Sequence, residues 1–281
     1  MFTTLISTSD VAARLGDPSL IVVDVRHDLA QPDAWGENAY GQGHVPGARF
    51  AHLDRDLSAA KTGQNGRHPL PNPEACARVF GRLGIDASKQ VVTYDQGPGM
   101  YAARLWWMLR WLGHDAVAVL DGGFAAWTRE GLPVTTDVPP VAPATFIARP
   151  TAATMDAGAI NASLSSSAYL LLDARARERY RGDVEPLDPV AGHIPGALNR
   201  PYSENVDAEG RFKPAAALAA DFDMILSGRS LQDVVHYCGS GVTACHNLLA
   251  MTHAGLGGSR LYAGSWSEWC SDPERPVEKG N

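Results

Sequence analysis

The stretch VVHYCGSGVTACHNLLA, residues 234–250, places an apolar, β-branched run directly before Cys238. A short loop with glycines at 239 and 241 follows, and a helical pattern begins near Ala244. A strand that enters a glycine loop and leaves as a helix predicts an α/β fold. Ligands on such sheets bind beyond the carboxyl ends of the strands, where Cys238 falls. Gly239 and Gly241 keep side-chain bulk out of the loop, so its backbone N–H groups can converge on one small bowl. Such a bowl, at the positive end of a helix dipole, holds an anion. A thiolate is one such anion, and it is the nucleophilic form of cysteine. Ser240 and Thr243 add hydroxyl donors, and no carboxylate lies between 238 and 250. The alternative, a buried structural cysteine at a strand end, does not explain the glycines.

Residues 91–107, VVTYDQGPGMYAARLWW, repeat this layout with Asp95 in place of the cysteine. Other segments recur in the same order. VVDVR (22–26) matches LLDAR (171–175), GHVPGA (43–48) matches GHIPGA (192–197), and LDGGFAAW (120–127) loosely matches YAGSWSEW (262–269). The offset drifts from 149 residues at the aspartates of the first pair to 143 at the loops, as expected for two homologous domains with small deletions rather than a solenoid. Each half alternates short apolar runs with helical stretches such as 102–113 and 244–255. Two parallel sheets, each flanked by helices on both faces, are therefore predicted. The expected division is an N-terminal domain over 1–135, a Pro- and Thr-rich linker over 136–154, and a C-terminal domain over 155–281. DQGPGM (95–100) offers no thiol, so the first domain is read as catalytically inactive.

Composition narrows the function classes. The chain has 281 residues and a formal net charge of −7, which argues against a nucleic-acid-coating surface. The tryptophan clusters at 106, 107 and 111 and at 266 and 269 read as core, because no basic stripe accompanies them. No apolar run reaches membrane-spanning length, and the N-terminus MFTTLISTSD has no basic segment followed by a long apolar one. Neither a membrane association nor a signal peptide is expected. Cys76, Cys238, Cys245 and Cys270 do not form a disulfide framework in a chain this long, and a reducing cytoplasm is the expected compartment. The spacings of Cys238, Cys245, His246 and His253 do not match paired zinc ligands, so no metal is expected. A cysteine phosphatase needs an arginine six positions after its nucleophile, and Ala244 stands there.

The Asp-x-Arg strand ends, the two GH[VI]PGA segments and the loop CGSGVT (238–243) together resemble the tandem-domain sulfurtransferases of the rhodanese family, over nearly the whole chain. The resemblance implies a covalent two-step reaction. Cys238 takes a sulfane sulfur from a small anionic donor as a persulfide, and a thiophilic acceptor removes it. The acceptor is cyanide or a thiol such as thioredoxin or glutathione. No cofactor is implied, and a monomer suffices.

A neutral Gly-Ser-Gly-Val-Thr loop resembles the members that use 3-mercaptopyruvate rather than thiosulfate. Gly239, Gly241, Val242 and Thr243 are then expected to line the donor site. By the same resemblance Ser240 works with His68 of GRHPLP and Asp54 of FAHLDRDL, with Asp56 a nearby alternative. Arg181 of RYRGDVEP is expected to bind the donor's carboxylate. Leu187 stands where many such relatives carry a second arginine, with Arg175 and Arg179 as possible substitutes. Thiosulfate as donor, and a non-enzymatic carrier fed with persulfide by a protein, remain alternatives. Cys76, Cys245 and Cys270 have no role visible in the sequence.

Overall fold

The computed structural model describes residues 1–281, in two compact units. The first comprises Met1–Ala59, Pro71–Thr151 and Ala208–Phe212, and the second Ala60–Leu70, Ala152–Asp207 and Lys213–Asn281. Each unit thus includes a short segment from the other half of the sequence. Ala60–Leu70 and Ala208–Phe212 are polar, glycine-containing stretches without apolar periodicity, so the division at 1–135 and 155–281 does not anticipate them. Within the second unit, the Arg67 amide donates to Ser267 Oγ at 3.0 Å. Within the first, the Phe212 amide donates to Asp121 Oδ1 at 2.9 Å.

The first unit contains β1 (Leu5–Ile6), α1 (Thr8–Ala12), β2 (Leu20–Asp24), α2 (Trp35–Gln42), β3 (Arg49–Phe50), α3 (Pro73–Arg82), β4 (Gln90–Tyr94), α4 (Ala102–Trp111), β5 (Val117–Leu120) and α5 (Gly123–Arg129). The second contains β6 (Thr154–Met155), α6 (Ala157–Ser163), β7 (Leu170–Asp173), α7 (Arg177–Arg181), β8 (Leu198–Asn199), α8 (Ala215–Leu226), β9 (Val234–Tyr237), α9 (Thr243–His253), β10 (Arg260–Tyr262) and α10 (Ser265–Trp269). The strand orders are β1-β5-β4-β2-β3 and β6-β10-β9-β7-β8, and every pairing is parallel. The central strands β4 and β9 are buried along their whole length, as sheets covered on both faces require. No helix is long and apolar enough to cross a membrane.

The helix ends follow local chemistry. Asn72 caps α3 by accepting from the Ala75 amide at 2.8 Å, and Pro73 occupies the first turn, where its missing N–H costs nothing. Gly113 and Gly255 follow α4 and α9 at φ +85 and +82, in the left-handed region that favours glycine. Trp106, Trp127, Trp266 and Trp269 are buried, and each indole N–H donates to a backbone carbonyl, which removes the cost of burying a polar atom.

The repeated motifs are structural braces, built twice. Arg175 bonds the Asp173 carboxylate at the end of β7, with Nη2 at 2.7 Å from Oδ2, and the same nitrogen donates to the Gly192 carbonyl at 2.7 Å. Arg26 does the same with Asp24 and the Gly43 carbonyl. The histidine of each GH[VI]PGA segment stacks on a tyrosine with ring centroids 3.8 Å apart, His44 on Tyr40 and His193 on Tyr180. Each tyrosine hydroxyl then donates to the alanine carbonyl closing its segment, Ala48 or Ala197. The motifs thus tie the loop after the first long strand of each unit to the sheet end.

In both sheets the chain moves outward in opposite directions from two neighbouring strands: from β7 to β8 and from β9 to β10 in the second unit. The loops leaving β7 and β9 therefore flank a crevice at the carboxyl end of the sheet. Cys238 begins one of these loops, and the other leads into α7.

Candidate active site

Cys238 directly follows β9 and is buried, 2% exposed. Its backbone is fixed on both sides. The Cys238 N–H donates to Ser265 Oγ at 3.1 Å, and its carbonyl accepts from the Trp266 amide at 2.9 Å. The Gly239 carbonyl accepts from the Ser267 amide, also at 2.9 Å. Gly241 lies at φ +75, and a Cβ there would collide with the Ala263 carbonyl oxygen, so only glycine fits. Ser265 lies at φ +55, where the first unit has Gly123 at φ +59. A serine in that conformation is strained, and its hydroxyl is what reaches the nucleophile's amide.

The first unit shows what the loop geometry does. Asp95 follows β4 as Cys238 follows β9, and it is fully buried. Its Oδ1 accepts from the amides of Gly97 and Gly99 at 2.9 and 3.0 Å. Its Oδ2 accepts from those of Tyr101 and Ala102 at 2.8 and 3.2 Å. Burial pushes the Asp95 carboxyl above the usual carboxylate range, and the four amide bonds counter only part of that. The loop is thus an anion cradle, filled in the first unit by the chain's own carboxylate. Replacing Asp95 with alanine strands four amides, three of them buried, and we expect a loss of about 3 kcal/mol of stability. A urea unfolding midpoint equal to that of the unmodified chain would contradict this reading of the cradle.

Ser240 is buried in the Cys238 loop, and its Oγ lies 2.8 Å from His68 Nδ1. His68 belongs to the Ala60–Leu70 segment of the second unit. Asp54 belongs to the first unit, 3.9 Å from His27 Nε2. Its neighbour Asp56 is engaged structurally, accepting from the His52 amide at 2.8 Å and from Arg82 at 2.6 Å.

Arg181, the arginine expected at the donor site, and its neighbour Arg179 lie in different surroundings. Arg181 pairs with Asp183 at 2.7 Å, and its side chain is 40% exposed. Arg179 instead faces the Cys238 loop. A Cβ placed on Gly239 would lie 3.5 Å from Arg179 Nη1. Residues two apart on a helix point to different sides, so only one of these arginines can face the loop. The bonds of Arg179 to Glu185 Oε1, at 2.6 Å, and to Asp188 Oδ2, at 3.3 Å, fix its orientation. Arg175 is committed to Asp173 and Glu185. Leu187 is 46% exposed.

Ser265 and Arg67 complete the surroundings of the loop. Neither stands out in the sequence; the one available signal was that YAGSWSEW carries a serine where LDGGFAAW has glycine. The other thiols are poorly suited to nucleophilic work. Burial pushes Cys76 and Cys270 each up to about 11, and Cys245 Sγ donates to the Gly241 carbonyl at 3.3 Å.

The chain is similar to known proteins along nearly its whole length. The chain is 49% identical over 280 residues to the probable 3-mercaptopyruvate sulfurtransferase of Pseudomonas aeruginosa, covering 99% of this chain and 98% of that one. It is 40% identical over 290 residues to the putative thiosulfate sulfurtransferase SseB of Mycobacterium tuberculosis, covering 98% and 97%. The crystal structure of SseA from Escherichia coli, described as a 3-mercaptopyruvate sulfotransferase with the rhodanese fold, superposes with a TM-score of 0.81 at 32% identity, covering 94% of this chain and 99% of that one. The sequence profile of the rhodanese-like domain matches residues 7–130 and again 156–272, one match for each half of the duplication. With the paired sheets and the cysteine loop, these matches place the chain in the rhodanese family, as a protein with two rhodanese-like domains.

Proposed function

We propose that the protein is a sulfurtransferase that moves the sulfur of 3-mercaptopyruvate to a thiophilic acceptor through a persulfide on Cys238. The observation that carries this reading is the 2.8 Å contact between Ser240 Oγ and His68 Nδ1, inside a loop that begins with the nucleophile. The likeness to a relative named for this donor supports it. In the first half-reaction the Cys238 thiolate attacks the donor sulfur. The new S–S bond forms as the C–S bond breaks, and the electron pair leaves as the enolate of pyruvate. Ser240 gives the enolate carbon a proton and recovers one from His68. The proton lost from the donor's thiol, as the persulfide ionises, restores the balance. In the second half-reaction the acceptor attacks the outer sulfur, and Cys238 leaves as thiolate.

The acceptor is cyanide in an assay and a thiol such as thioredoxin or glutathione in a cell. A reducing cytoplasm suits the chemistry, because the nucleophile must stay a thiol between turnovers. A monomer suffices, since the cysteine, serine, histidine and Arg179 all belong to one chain.

Formation of thiocyanate from cyanide, measured with 3-mercaptopyruvate and with thiosulfate, tests the donor. Faster turnover with 3-mercaptopyruvate is expected. Faster turnover with thiosulfate would overturn the donor assignment. Absence of turnover with both would replace the enzyme by a carrier loaded by another protein. Ser240→Ala should lower kcat for 3-mercaptopyruvate by about 100-fold, the scale of a lost proton transfer. Thiosulfate releases sulfite, which needs no proton at carbon, so its kcat should fall far less. An equal fall with both donors would show that Ser240 only shapes the loop.

A further inference from the structure

We infer that Arg67 is a specificity residue of this site, gripping the donor's carboxylate together with Arg179. The inference rests on the donor reading above. A Cβ placed on Gly239, the residue after the nucleophile, would lie 2.7 Å from Arg67 Nη2, closer than from either terminal nitrogen of Arg179. Two guanidinium edges therefore flank the same backbone position beside Cys238.

The surrounding bonds direct these edges toward the loop. Arg67 Nη1 bonds Asp188 Oδ1, and Arg179 Nη2 reaches Asp188 Oδ2 at 3.3 Å, so one carboxylate bridges both arginines. Asp188 is itself held by the turn before it. Its amide donates to Glu185 Oε1 at 3.2 Å, and its side chain is 3% exposed. Burial pushes the Asp188 carboxyl up, and its two arginine partners offset only part of that cost. The bonds to Asp188 and Glu185 engage Arg67 Nη1 together with Arg179 Nε and Nη2. Arg67 Nη2 and Arg179 Nη1 are left on the side of Gly239.

Both arginines are partly solvent-accessible, at 27% and 17%, so an incoming ligand can reach them. A planar carboxylate that accepts one bond from each edge fits this pair. It would fix the donor through its far end while its sulfur meets Cys238. Leu187, exposed and apolar, supplies no cation. Arg67 provides the second positive charge from a segment far away in sequence.

The ligands that test this are 3-mercaptopyruvate and mercaptoacetone, which keeps the thiol and the ketone but lacks the carboxylate. Binding of each is measured by calorimetry in the Cys238→Ser background, where no turnover occurs. Arg67→Gln should weaken 3-mercaptopyruvate by about 10- to 100-fold, the range for a lost charged hydrogen bond, and leave mercaptoacetone unchanged. Arg67→Lys, which keeps the charge but loses the fork, should fall between. An unchanged affinity for 3-mercaptopyruvate, or equal weakening of both ligands, would overturn the assignment. Failure of Cys238→Ser to bind 3-mercaptopyruvate at all would overturn it too. Thiocyanate formation by the unmodified chain is followed in parallel. Its absence with 3-mercaptopyruvate would count against the sulfur-donor reading, while the calorimetry still decides the role of Arg67.

Discussion

Replacing Arg175 with methionine is expected to destabilise the second unit by about 4 kcal/mol, the cost of leaving one member of a buried ion pair alone. Asp173 has no exposed side-chain surface, and Arg175 bonds it through Nε and Nη2. The same guanidinium reaches Glu185 at 3.3 Å, donates to the Gly192 carbonyl and lies 4.8 Å from the centre of the Trp266 ring. Its loss therefore leaves a carboxylate at the end of β7, loosens the GHIPGA segment and removes one of the two arginines that pair with Glu185. Asp173→Asn combined with Arg175→Met should recover part of the loss, because the stranded charge of Asp173 is removed while the bonds of Arg175 to Glu185 and the Gly192 carbonyl stay lost. Denaturant unfolding of the single and double variants measures this. Additive losses in the double variant would contradict a pair held together by its opposite charges.

Cys238→Ser is expected to lower thiocyanate formation by about 10⁴-fold or more, the scale seen when a covalent nucleophile is removed. Stability should hardly change. An oxygen replaces a sulfur at the same position, and the anchoring bonds to Ser265 and Trp266 are made by the Cys238 backbone. Cys245→Ser is the matched control. Its hydroxyl can keep the bond to the Gly241 carbonyl, so turnover should stay near that of the unmodified chain. Turnover lost in the Cys245 variant and kept in the Cys238 variant would move the nucleophile seven residues on, into α9, and contradict the loop's role.

Much of the architecture is legible in the sequence because the chain says the same thing twice. Continuous apolar runs such as LIVVD and LLLD fix buried parallel strands, and the expected helices over 102–113 and 244–255 form as Ala102–Trp111 and Thr243–His253. The prominence of Cys238 comes from local signals: the end of an apolar run, two glycines and a helix start. The arginines are harder to read. Arg179 and Arg181 differ by two positions on a helix of five residues, and composition cannot say which one faces the loop. Arg67 lies in the first half of the sequence but in the second compact unit. Its proximity to Gly239 is a product of folding that no local pattern encodes. The GH[VI]PGA segments mark the family clearly, yet their histidines serve packing, each stacked on a tyrosine. The aspartate at position 95 reads in sequence as a lost nucleophile, and in the fold its carboxylate fills the cradle formed by its own loop's amides.

The most direct test of the central claim is an intact-protein mass measurement after incubation with 3-mercaptopyruvate and no acceptor, with the modified residue located by peptide mapping. The expected result is a gain of one sulfur atom on Cys238, matched by an equal amount of pyruvate and reversed by cyanide. Pyruvate release without sulfur on the protein, or sulfur found on Cys76, Cys245 or Cys270, would contradict it.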